Sequence, residues 1–278
     1  MARNSANTPR VRLVRHEIIT VTPEVADTWL ANNGHNRNVR QGRVDAYARD
    51  MAAGQWTFNG DPIRFATDGW LADGQHRLLA LIAANVTLPF LVIWGLEATA
   101  QDTMDIGAHR SMGDSLALSG ESNANTLAAI ARRVIAYDQG RRNAGAVAPT
   151  HPEMAAYLAR HPELRLAVDM AIRARKAIPA PPSSIAAAYH MCARVDVKRA
   201  DFFFGDQVID GLGLAPGDPA RALRTRLSSD SLTGHRLGPD DVVRYAIAAW
   251  NHFRSGRTLT RLQAPKGGWS RSTSPLPR

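Results

Sequence analysis

This chain has a single cysteine in 278 residues, Cys192, and lysine only at positions 176, 198 and 266. The lone thiol excludes an internal disulfide and any zinc site built from several cysteines. It lies in the apolar helical run Ile185 to Ala193, where an inert core thiol is expected. Aromatic residues are scarce, at 6%. No apolar run approaches the roughly 20 residues that a membrane-spanning helix needs. The opening stretch, Met1 to Arg10, is polar and lacks the apolar core of a signal peptide, so a cytoplasmic protein is expected.

With lysine so rare, nearly all of the 34 Lys and Arg are Arg. They outnumber the 25 acidic residues and leave a net charge of +9, with a sequence pI near 10.5. An excess of that size points to an anionic partner, and nucleic acid, DNA among them, is the first candidate. Arginine suits it, because the guanidinium fork meets phosphate with two hydrogen bonds and stacks on bases. A GC-rich coding bias with a solvated basic surface explains the same numbers, and no RNP or zinc-finger signature is present.

The remaining composition, 45% hydrophobic and 21% charged, is that of a globular protein of one large domain or two modest ones. Residues 1–10 read as a disordered basic arm. His16 to Val21 is strand-like, and Thr22-Pro23 opens a helix with an N-cap followed by proline. Val44, Tyr47, Ala48 and Met51 recur at helical spacing in a helix from Gln41 to Ala53. Ile63 to Ala66 and Trp70 to Ala72 form a hairpin across Asp68-Gly69. A helix from Gln75 to Asn85 and a buried strand from Leu88 to Trp94 complete a small α+β domain, about 11–110. Strand signals then stop. Helical patterns over 123–137, 150–158, 164–176, 181–194, 202–209, 219–228 and 239–255 predict an all-helical domain, about 115–262. The Pro/Ser/Arg tail, 263–278, is expected to be disordered.

The most informative stretch is Asp73-Gly74-Gln75-His76-Arg77. It leaves a strand and opens a helix, and unpaired amides and the helix dipole make such a turn an anion site. Arg77 adds a permanent charge suited to phosphate. Asp73 caps the helix or holds a metal ion, and His76 donates, accepts or shuttles a proton. The plain alternative is an ordinary Asp-Gly turn with an Asp N-cap and a solvated first turn. From the box alone the two readings are even.

The surroundings resemble the ParB/sulfiredoxin superfamily, in the branch with Asp-Gly-Gln-His-Arg as its phosphate-binding box. The resemblance runs over about a quarter of the chain, from Asn36-Arg37-Asn38-Val39-Arg40-Gln41 through Gly60-Asp61-Pro62-Ile63-Arg64-Phe65 and the box to Met104-Asp105-Ile106-Gly107-Ala108-His109-Arg110. It implies a ParB/sulfiredoxin-like fold, a nucleoside triphosphate (CTP or ATP) on the box, Mg²⁺ beside it, and an origin in a phage or mobile element. Two departures limit it. Gln75 stands where sulfiredoxin carries its catalytic cysteine, and His76 replaces the first arginine of the ParB box. The ParB helix-turn-helix has no match either.

The expected nucleotide-binding residues are therefore Gly74, Gln75, His76, Arg77, Arg37, Arg40, Asp105 and Arg110, with Asp73 and Asp105 for the metal and His76 and Asp73 for catalysis. Asn36 adds a donor beside Arg37. Asp61 and Asp68 are weaker candidates, and Asp68 is explained by its turn. The reading is a nucleotide-binding, DNA-associated protein that hydrolyses or transfers phosphate, as a monomer or a homodimer. The alternative is a non-catalytic DNA-binding or regulatory module. A ParB-type nuclease ranks below both, since no dense carboxylate cluster of the two-metal kind is visible.

Overall fold

A computed structural model describes residues 14–33, 36, 38–104, 110–141, 148–232 and 237–278. The fold is α+β and divides into two compact units, Met1–Ala108 and His109–Arg278.

The first unit is built on a mixed four-stranded sheet. Its strands are β1 (Arg15–Val21), β2 (Ile63–Ala66), β3 (Leu71–Asp73) and β4 (Leu88–Leu96), in the order β1-β4-β2-β3. β1 runs antiparallel to β4, β4 parallel to β2, and β2 antiparallel to β3. Pro89 is tolerated in this inner strand because it pairs only with Thr20 of β1, while β2 joins β4 from Val92 onward. Helices α1 (Pro23–Leu30), α2 (Gln41–Ala52) and α3 (Gln75–Ala84) pack together, α3 against both of the others. Their buried positions (Ala26; Val44 and Met51; Leu78, Ala80 and Leu81) join Val21, Ile63, Phe65, Leu71, Phe90 and Val92 in one core. Each fully buried Leu or Ile contributes roughly 1.5–3 kcal/mol. Thr22 caps α1 by accepting from the Val25 amide at 3.3 Å, with Pro23 in the first turn as its sequence predicts.

The second unit is helical among its described residues: α4 (Met112–Leu118), α5 (Ala124–Asp138), α6 (His151–Arg160), α7 (Ala167–Ala177), α8 (Pro182–Ala193), α9 (Val197–Ala200), α10 (Pro219–Leu232) and α11 (Pro239–Arg254). A π-helical segment, Asp201–Ile209, continues from α9. The apolar α8 is packed by α5, α7 and α11, as expected of a helix with no polar stripe. Cys192 is fully buried there, and burial pushes its thiol well above the usual range, so it is inert. Phe203 lies edge-on to both Phe204 and Trp250, its centroid 5.8 Å from that of Trp250, and Phe204 stacks on Trp250. α4 precedes the first helical pattern read in the sequence, and Ser111 and Asp114 form a reciprocal capping box at its start.

The tail differs from its expected disorder. Ser274 is buried, and Trp269 lies edge-on to Tyr245 with centroids 5.5 Å apart. Asn251 grips residues 276–278 from both sides: its Nδ2 donates to the Leu276 carbonyl at 2.9 Å, and its Oδ1 accepts from the Arg278 amide at 3.0 Å. These anchors lie far from the tail in sequence, so its composition alone hides them.

Candidate functional site

The box sits where β3 turns into α3, as its residue types predict. Gly74 is the N-cap, at φ +112° and ψ −2°. A Cβ there would lie 2.5 Å from Ile63 Cδ1 and 3.4 Å from Ile63 Cα, so the turn is pressed against β2 and admits only glycine. No side chain caps α3. Asp73 therefore does not play the capping role expected of it. It ends β3, and its Oδ2 accepts from two guanidinium groups instead: Arg77 Nη2 at 2.9 Å, one turn ahead, and Arg64 Nη1 from the neighbouring strand. Two cations on one carboxylate leave one formal positive charge in excess.

Arg64 was missed as a site residue, although the signal was present. Counting back from the Asp68-Gly69 turn along the hairpin brings Arg64 opposite Asp73, which is the observed pair, although a register shift between Arg64 and Phe65 sets Phe65 opposite Leu71. Opposite charges directly across two strands attract. Asp68 does only its turn duty, accepting from the Trp70 amide at 3.1 Å. Asp61 is bonded to its neighbour Asn59 in an exposed loop.

His76 is 7% exposed, and its Nε2 accepts from the backbone amide of Arg40 at 3.0 Å. That bond requires a neutral imidazole with its proton on Nδ1. Arg40 thus meets the box through its main chain. Asn36 is brought in as well: it donates to the Leu71 carbonyl and accepts from Gln101 Nε2 at 3.1 Å. Gln101 also donates to the Ala72 carbonyl at 3.2 Å. No local pattern marks Gln101, which lies in a short 3-10 helix, Ala98–Thr103, and reaches the box only through the fold.

Gln75 is 9% exposed and the Arg77 side chain 12%. Two buried atoms here have no partner among the described residues: Gln75 Oε1 and Arg77 Nη1. An unpaired buried guanidinium nitrogen costs roughly 1–3 kcal/mol unless something accepts from it. Arg37 and Asp105 lie outside the described residues, so the two-carboxylate metal site expected of Asp73 and Asp105 is undefined. Among the described residues, no group of three or more His, Cys, Asp and Glu gathers to hold a metal. Arg110 is exposed, just ahead of α4 in the second unit.

The helical unit carries a further polar cluster that sequence reading passed over. Arg194 grips Asp138 with both nitrogens, each at 2.9 Å, and Tyr157 donates to the same carboxylate at 2.6 Å. Burial pulls Asp138 up, but the Arg194 and Tyr157 hydrogen bonds outweigh it and hold the carboxyl low. His190, 4% exposed, leaves its Nε2 unpaired, and burial, assisted by Arg194, pushes its pKa down to about 4.

Compared with protein-family models, curated proteins and solved structures, the chain matches none.

Proposed function

We propose that this protein binds a nucleoside triphosphate, CTP or ATP, through the Asp73–Arg77 box, and that it works in association with DNA. The observation that carries the reading is the opening of α3. A glycine-only turn presents a helix N-terminus with no side-chain cap, and beside it Arg77 holds a buried nitrogen with no partner among the described residues. Uncapped amides, a helix dipole and a spare guanidinium N–H form the donor set that a phosphate group uses. Asp73 fixes Arg77 and Arg64 on one side of the turn, and their excess positive charge favours an anion. Mg²⁺, where present, would neutralise the remaining phosphate charge. DNA association rests on the arginine-rich +9 balance.

The state of His76 favours binding over turnover. A general base needs a free lone pair, and the Nε2 lone pair of His76 accepts the Arg40 amide. His76 then acts as a positioning residue that ties the segment before α2 to the box. This is the non-catalytic, regulatory form of the reading. The test is a calorimetric titration of CTP and of ATP, with Mg²⁺, on the wild type and on Arg77→Ala. A charge-assisted bond to phosphate contributes about 1.5–3 kcal/mol, so affinity should fall about ten- to a hundredfold. Equal affinity in the two proteins would sink the nucleotide reading. Phosphate release on the same preparations separates binding from turnover, and a rate that collapses in His76→Ala would restore the catalytic role.

A further inference from the structure

Where α11 ends, a concavity of about 470 Å³ is lined by Asn251, His252, Arg254, Ser255, Arg257 and Arg278. Three of the six are arginines, a fourth is a histidine, and no carboxylate side chain lines it. None of the three guanidinium groups has an acidic partner among the described residues. Two of these residues also carry a buried nitrogen with no hydrogen-bond partner among the described residues, His252 Nδ1 and Arg254 Nε.

Part of this has a simple explanation. His252 and Arg254 lie in the last turn of α11, where the helix dipole favours cations. The dipole does not explain Arg257 or Arg278, which lie beyond the helix. Arg257 follows it in a turn, its amide donating to the His252 carbonyl at 3.0 Å. Arg278 comes from the far end of the tail and is held there by the two hydrogen bonds that Asn251 makes to residues 276 and 278. Arg254 and Arg257 from one stretch and Arg278 from the far end of the tail bring like charges around one hollow, an arrangement that favours an anion there. Guanidinium forks favour phosphate over a spherical anion.

We infer that this hollow is a phosphate-binding site of the helical unit, separate from the Asp73–Arg77 box, with the Asn251-anchored tail as one of its walls. The phosphate is supplied either by a polynucleotide backbone or by a free phosphoanhydride. The polynucleotide arm rests on the DNA association proposed above, and the free-anion arm does not.

The experiment uses the full chain, with a fluorescein-labelled 20-nucleotide DNA read by anisotropy and inorganic pyrophosphate read by calorimetry. Arg257 and Arg278 are largely exposed, so Arg257→Glu and Arg278→Glu spare the fold. Each should weaken binding of the DNA, of pyrophosphate, or of both at least tenfold. Arg160→Glu makes the same charge change at an exposed position on α6 and should lose less than threefold. Asn251→Ala removes no charge but frees the tail, and should weaken binding severalfold. If the wild type binds pyrophosphate and not DNA, DNA association fails and the hollow stands. An equal loss in Arg160→Glu would reduce the effect to overall charge and overturn the site. So would unchanged binding in both Arg257→Glu and Arg278→Glu, or a wild type that binds neither probe.

Discussion

Replacing Gly74 with alanine forces a methyl group into space that Ile63 already occupies. The added Cβ would lie 2.5 Å from Ile63 Cδ1, 3.3 Å from its Cγ2 and 3.4 Å from its Cα. Ile63 is fully buried, so its δ-methyl can retreat only against other core atoms. Overpacking of this kind costs about 1–3 kcal/mol. The backbone adds a second cost, because φ +112° is far from any well open to an L-residue. Strain of that sort is worth about 1–3 kcal/mol. Gly74→Ala should therefore destabilise the first unit by about 2–6 kcal/mol. The two parts are separable. Ile63→Val deletes the δ-methyl alone, so in that background Gly74→Ala should cost about 1–3 kcal/mol less, while the backbone strain remains. A global melt would mix two units, so the assay is hydrogen exchange of the α3 and β2 amides, read by mass spectrometry. A cost below about 0.5 kcal/mol would refute the close approach of the turn to β2. A full cost with no coupling to Ile63→Val would show that strain acts and the clash does not.

Other expectations follow from the same geometry. Asp73→Ala strips the shared partner from Arg64 and Arg77, and should cost about 1–3 kcal/mol by denaturation while weakening nucleotide binding through a misplaced Arg77. His190 has a folded pKa of about 4 against 6.5 in the open chain. The unfolded state therefore binds the extra proton between those values, and stability present above pH 6.5 is lost as the pH falls toward 4. The loss amounts to about 3 kcal/mol at most. Urea denaturation at pH 7 and pH 5 reads it, and His190→Leu should remove most of that slope; an unchanged slope would place the titration elsewhere.

The legible parts of the fold were those written in local chemistry. Thr22-Pro23, the helical spacing of Val44 and Met51, and the Asp68-Gly69 hairpin each predict an element that forms. The box lies at the strand-to-helix junction that its own residues imply. What stayed hidden depends on distance along the chain. Asp73 reads as a cap until Arg64, nine residues away across a hairpin, competes for its carboxylate. His76 reads as a base until the Arg40 amide, 36 residues earlier, takes its lone pair. Gln101 carries no mark at all. The tail looks disordered by composition, because its order comes from Asn251, Tyr245 and Trp269 rather than from any local periodicity.

A nucleotide held at the mouth of α3 should reveal itself in a melting-temperature screen of CTP, ATP, GTP and ADP with and without Mg²⁺. A ligand at about 100 times its dissociation constant adds about 2.7 kcal/mol to the folded state, a rise of several degrees. That rise is expected with CTP or ATP in the wild type and should be lost in Arg77→Ala. No rise with any of the four at millimolar concentration, or an equal rise in both proteins, would contradict it.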